Sequence, residues 1–215
     1  MSKSSHNINI SILNESGRLD SILDAIRAQT DKAIELARTT IQLSDVDIIF
    51  SYNPAETVPH LGFGGYTPDA HTVQISVDAD NTEVVRTIDE ELVHTLLHEF
   101  HHAMRWRSVG YGETLGEALV TEGLADHFDV EVTGGAPSLW TQGFSNEELN
   151  ALLVRARAEF DNVDYSHTDW FFGGNGLPKW GGYALGYFIV GKYLAEHLGV
   201  TAASLCNVEA REIFK

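Results

Sequence analysis

Apolar residues along the chain repeat with two different periods, and the changes between them mark out the elements. Ile8, Ile10 and Ile12 alternate with polar neighbours, which predicts a short first strand. Leu19, Ile22, Leu23, Ile26, Ala33, Ala37 and Ile41 then recur at helical spacing and predict a long amphipathic helix. Val46, Ile48, Phe50 and Tyr52 alternate again up to Pro54, and Val73, Ile75 and Val77 form a further alternating strand. Gly62, Gly64 and Gly65 read as a turn or bulge leading into that strand. From Thr82 to Arg107 there is no Gly or Pro, and Val84, Val85, Ile88, Leu92, Leu96 and Phe100 fall near helical periodicity.

A second helix is expected from Glu113 to about Val130, followed by a turn at Gly134, Gly135 and Pro137. Ser145 and Glu148 form a capping box ahead of Leu149 and Leu153, so another helix starts there. The Gly-, Asp- and aromatic-rich stretch from Asp161 to Lys179 reads as a loop, placed to act as a lid if it lies near a cleft. Beyond it, Trp180, Tyr183, Tyr187, Val190 and Leu194 make a helical stripe, which predicts a buried face. Glycines at 182 and 186 let something approach that helix closely. The expected class is α+β: a small twisted sheet with two central helices, then a mainly helical C-terminal part. The chain reads as one domain, 1–215, with an N-terminal α/β lobe of about 1–109 and a C-terminal helical lobe of about 110–215.

The chemistry concentrates in the helix from Thr82. Residues 98–102 read His98-Glu99-Phe100-His101-His102, an H-E-x-x-H sequence, and Glu122 follows on the next helix. Residues four apart on a helix differ by about 40° around the axis and about 6 Å along it, so His98 and His102 can offer imidazoles to one ion. Zinc favours nitrogen and carboxylate ligands, and a catalytic site keeps a position for water beside three protein ligands. The pattern therefore predicts one Zn2+ per chain held by His98, His102 and Glu122, with Glu99 as the general base. Manganese, cobalt or nickel can occupy such a donor set in vitro. Asp126, one turn after Glu122, is placed to accept the other ring N–H of a ligating histidine.

Other residues compete for these roles. His94 with His98, and His98 with His101, also have helical spacing, but neither pair accounts for Glu99. His94 is assigned to packing or hydrogen bonding, His101 points about 60° away from His98, and His127 reads as a surface or supporting group. Hydrolysis needs a donor for the oxyanion besides the metal. Tyr183 is the first candidate and Tyr187 the second, set against the ordinary alternative of a tyrosine packed in the core.

With these residues the chain resembles the gluzincin class of metallopeptidases, of which thermolysin is a familiar member. In that class H-E-x-x-H is followed by a ligand glutamate on the next helix. The resemblance carries His98, His102 and Glu122 over as metal ligands, Glu99 as base and Asp126 as the supporting aspartate. Gluzincins often have Asn before the ligand Glu; here it is Thr121, a departure with little expected effect because that side chain is not a ligand. More narrowly, H-E-F-H-H-A-M-R, T-E-G-L-A-D and G-G-Y-A-L-G-Y look like small bacterial predicted zinc-dependent proteases catalogued as a domain of unknown function, over about residues 60–198. The resemblance also implies that the strand just upstream of the motif helix, His71 to Asp78, binds an extended peptide by main-chain pairing. The metzincin pattern does not fit, because Arg105 stands at its glycine position and Ser108 at its third histidine.

Composition narrows the partners. With 31 Asp and Glu against 14 Lys and Arg, the formal net charge is −17, which argues against a nucleic-acid or anionic-membrane partner. The expected partner is a peptide or protein substrate, and the oligomeric state stays open. No run approaches eighteen apolar residues and the N-terminus lacks a signal-like apolar segment, so a cytoplasmic location is expected. Cys206 is the single cysteine, which excludes an intrachain disulfide and suggests a small buried residue. The alternatives to proteolysis are hydrolysis of a non-peptide amide, and a metal-stabilised module that holds an extended segment without cutting it.

Overall fold

The computed structural model describes residues 7–214, which divide into two compact units, the first ending at Met104 and the second beginning at Arg105. The described residues form a mixed α+β structure, with one four-stranded sheet and seven α-helices.

The first unit is built on the sheet. Strands β1 (Ile8–Leu13) and β2 (Val46–Tyr52) pair in parallel, joined through helix α1 (Leu23–Arg38). A 3-10 turn at Asp20–Ile22 precedes α1, so the helix is shorter at both ends than the apolar spacing suggested. Strands β3 (Phe63–Asp69) and β4 (Thr72–Val77) form a tight antiparallel hairpin, and β4 also pairs in parallel with β2, which gives the order β1-β2-β4-β3. Alternation explains the core: Val46, Ile48 and Phe50 of β2 and Val73, Ile75 and Val77 of β4 are all buried. The hydrophobic stripe of helix α2 (Val84–Trp106) is buried at Val84, Ile88, Leu92, Leu96 and Phe100, as its spacing requires, whereas Val85, counted with it in the sequence, is exposed.

Two expectations are corrected in this unit. The glycine-rich segment at 62–65 is not simply a turn, since Gly64 and Gly65 lie inside β3. And β4, within the His71–Asp78 segment expected to receive a peptide, is an interior strand whose two edges are taken by β2 and β3. The edge strands are β1 and β3, and β3 is the one next to β4. Pro68 fits that placement, because proline has no N–H for a ladder and is tolerated at an edge or a bulge; the β3–β4 register shifts between Tyr66 and Asp69.

The second unit is helical: α3 (Leu115–Thr133), α4 (Asn146–Ala158), α5 (His167–Phe172), α6 (Gly181–Glu196) and α7 (Ala210–Ile213). Capping boxes at Thr114/Glu117 and Ser145/Glu148 start α3 and α4, and Gly134 ends α3 in a left-handed conformation. Helix α3 is buried on all sides from Ala118 to Asp126, so it is the centre of this unit. It packs on α6 at backbone contact: a Cβ on Gly186 would run into the Leu119 carbonyl, and one on Gly123 into the Gly186 carbonyl. Gly182 makes similar room for the Phe171 ring.

That contact corrects the predicted face of α6. The buried positions are Gly181, Gly182, Ala184, Leu185, Gly186, Ile189 and Val190, of which only Val190 lay on the predicted stripe, whereas Tyr183, Tyr187 and Leu194 are half-buried. Trp180 precedes the helix as its N-cap, with φ of 66°. The stretch from Asp161 to Lys179 is not all loop, because Ser166 caps the short helix α5 within it. No helix among the described residues is long and apolar enough to cross a membrane.

Candidate metal centre

Helix α2 places its two ligand candidates one turn apart with their rings turned towards each other. His98 and His102 are both almost fully buried, their Nε2 atoms are 2.9 Å apart, and the rings meet edge to face with centroids 4.6 Å apart. Two nitrogens bound at zinc's usual distance on a tetrahedral ion would stand about 3.3 Å apart, so the imidazoles are disposed to share one ion with little adjustment. His98, His102 and Glu122 form a group in which each offers one ligand atom and these atoms lie within 4.8 Å of one another. That set of two imidazoles and one carboxylate suits zinc. Among the described residues, His94, His101 and His127 belong to no such group.

Glu99 is buried as well, and strand β3 determines where its carboxylate sits. Thr67 Oγ1 donates to Glu99 Oε2 at 2.6 Å, which leaves Oε1 on the side of Gly65. A Cβ on Gly65 would stand 2.5 Å from Oε1 and 2.7 Å from Cγ, so only glycine leaves room for the carboxylate there. Gly65 and Tyr66 are themselves exposed on the edge strand. Neither Thr67 nor Gly65 was anticipated as part of the site.

On α3 the Glu122 side chain is buried and its Oε1 accepts a 2.5 Å hydrogen bond from the Tyr111 hydroxyl. Burial, and then the neighbouring Glu122, hold the Tyr111 hydroxyl well above the ordinary tyrosine range, so it remains a donor. Burial also pushes Tyr165 up to about 12, with Glu122 contributing, and pushes His167 down. The Tyr165 hydroxyl and His167 Nδ1 are 3.2 Å apart, so Tyr165 and the first residue of α5 bring polar groups within electrostatic reach of Glu122. Asp126 is buried, and both its oxygens accept from Trp140 Nε1, at 3.0 and 3.2 Å. The indole was not foreseen as a partner.

The two tyrosine candidates separate. Tyr183 packs edge to face on Phe171, with ring centroids 4.9 Å apart, and its charge would be felt at Tyr111, the residue that donates to Glu122. Tyr187 instead stacks flat on His127 at 3.8 Å, and its own carbonyl oxygen lies 2.9 Å from His127 Nε2. His127, expected as a surface or supporting group, is half-buried and packs on Tyr187.

The chain matches, over residues 26–215, the model of a family described as predicted Zn-dependent proteases (DUF2268). The chain belongs to that family. Among curated relatives it is similar to YjfC of Bacillus subtilis strain 168, at 26% identity over 169 residues, covering 72% of this chain and 54% of that protein. It is also similar to YjaZ of the same organism, at 32% identity over 117 residues, covering 51% of this chain and 45% of that protein. Both relatives are described as uncharacterized proteins, and the chain spans about half the length of each. No solved structure matches it.

Proposed function

We propose that this family member is a gluzincin-type zinc peptidase in which His98, His102 and Glu122 hold one zinc ion and Glu99 is the general base. The observation that carries the reading is the arrangement on α2 and β3: two converging Nε2 atoms one helical turn apart, beside a buried carboxylate with one oxygen tied to Thr67. A closed structural site has no use for such a base. Bound zinc would supply Lewis acidity, bringing the pKa of a water towards about 7.

The chain's own groups would do the rest. With Oε2 of Glu99 accepting from Thr67, Oε1 is the oxygen available to take a proton from the attacking water and pass it to the departing amine. The substrate class is peptide or protein, laid as an added strand against Gly65 and Tyr66 at the open edge of β3. A scissile carbonyl held there would lie beside the base. Tyr183 is the proposed donor to the oxyanion and Asp126 the carboxylate that orients a ligating imidazole.

The test combines elemental mass spectrometry of the purified protein with a peptide-library screen on the wild type and on Glu99→Gln. One zinc per chain in both proteins, with cleavage by the wild type alone, is the expected result. Retained turnover in Glu99→Gln would remove the base assignment. Protein that neither contains nor takes up zinc would remove the peptidase reading altogether.

A further inference from the structure

Glu122 is not left to find its own orientation. A ligating carboxylate has two oxygens and several ways to present them, and the number it offers changes the coordination number of the ion. Here the Tyr111 hydroxyl already occupies Oε1 at 2.5 Å. Tyr111 lies in the segment between α2 and α3, between Gly110 and Gly112, both at positive φ, and its backbone carbonyl is tied to α3.

The tether is Thr121, the residue immediately before the glutamate. Its Oγ1 donates to the Tyr111 carbonyl at 2.9 Å and accepts from Arg105 Nε at 2.9 Å. Arg105 is 2% exposed, and its Nη1 donates to the carbonyls of Cys206 and Val208 at 3.2 and 3.0 Å. Burying a guanidinium is costly, and these hydrogen bonds all go to neutral oxygens, so a fixed position rather than an ion pair is what the burial secures. Thr121 holds the Tyr111 carbonyl and the Tyr111 hydroxyl holds Glu122, so these two hydrogen bonds and the Thr121–Glu122 backbone close a ring, to which Arg105 is bonded through Thr121. Thr121, which stands where gluzincins often have Asn, is therefore no idle replacement.

We propose that Tyr111, tethered by Thr121 and Arg105, is a positioning residue that holds Glu122 to single-oxygen ligation of the metal. The inference rests on the zinc-site reading above and adds a determinant of metal affinity to it.

The experiment is a competitive zinc titration against a chromogenic chelator on the wild type, Tyr111→Phe, Thr121→Val, the double variant and Thr121→Ser, with thermal unfolding of each metal-free protein. Tyr111→Phe is expected to weaken zinc binding about 10- to 100-fold while the metal-free unfolding temperature changes little. Thr121→Val should move affinity in the same direction, and Thr121→Ser, which keeps the hydroxyl, should restore it. The double variant should bind no more weakly than the poorer single one, because both act through the same hydroxyl. X-ray absorption of the zinc-loaded Tyr111→Phe protein should show an added oxygen neighbour. A wild type that takes up no zinc overturns the site itself and this inference with it. A wild type that binds zinc, with Tyr111→Phe binding equally well, overturns the inference alone.

Discussion

Replacing Gly186 with alanine sets two opposing effects against each other, and the structure decides the sign. Gly186 lies inside α6, where alanine is intrinsically favoured over glycine by about 1 kcal/mol. Its missing Cβ, however, faces backbone: the added carbon would fall inside contact distance of the Leu119 carbonyl oxygen and 3.2 Å from both the Gly123 nitrogen and the Leu119 carbonyl carbon. A comfortable contact needs about 3.5 Å, so α3 and α6 would have to separate by about 1 Å. Overpacking of this kind costs about 1–3 kcal/mol, and the upper end applies where the obstruction is a helix backbone rather than a side chain that can rotate. The net effect is about 2 kcal/mol of destabilisation. For a chain of this length that is a fall of about 4–8 °C in Tm, measured by circular dichroism on metal-free protein. Zinc affinity should fall as well, because Glu122 is the neighbour of Gly123 at this crossing. An unchanged or raised Tm would refute the claim that the two helices touch through their backbones.

Two other perturbations probe the site and the pH response. Gly65→Ala should lower kcat/KM by about 100-fold by displacing the buried Glu99 carboxylate, and lower Tm as well because that carboxylate loses its Thr67 hydrogen bond; steady-state cleavage of the best library peptide measures it, and full activity would disprove the contact. Burial holds the pKa of His127 below the ordinary histidine value. The unfolded chain therefore takes up this proton more readily than the folded one, so the contribution of His127 to stability is constant above about pH 6.5 and declines as pH falls below it. Urea midpoints of metal-free protein between pH 4.5 and 8 should show a shallower acid limb in His127→Gln than in the wild type, and parallel limbs would show that the imidazole is not held neutral.

How much of this was legible depends on whether the determinant was local. Strand β2 follows its alternation from Val46 to Tyr52, and α2 follows its apolar stripe, because both rest on side-chain period and burial. The H-E-x-x-H pair needs nothing beyond helix geometry, and Glu122 follows from its place on the next helix. Strand β3 was hidden because Gly64, Gly65 and Pro68 are poor strand formers; pairing with β4 makes it a strand, and the Glu99 carboxylate needs a glycine there. Pro68 was the available sign of an edge. The face of α6 was misread because aromatic residues normally mark a buried stripe, whereas this backbone-to-backbone crossing leaves room only for glycine at its centre, Gly186 against Gly123. Thr67, Tyr111 and Trp140 make these contacts with partners from 11 to 32 residues away, and no short-range pattern announces them.

Cys206 turns one of these contacts into something that can be timed. Its thiol is buried and pushed up to about 11 by that burial, so at neutral pH it is protonated and slow to react. Its carbonyl is one of the oxygens that anchor Arg105. As the chain has a single cysteine, any thiol reagent in excess reports on this position alone. The labelling rate then becomes a clock for transient release of the C-terminal segment, and it runs without a substrate or a metal. The chain thus carries its own probe of how often the scaffold behind Glu122 lets go.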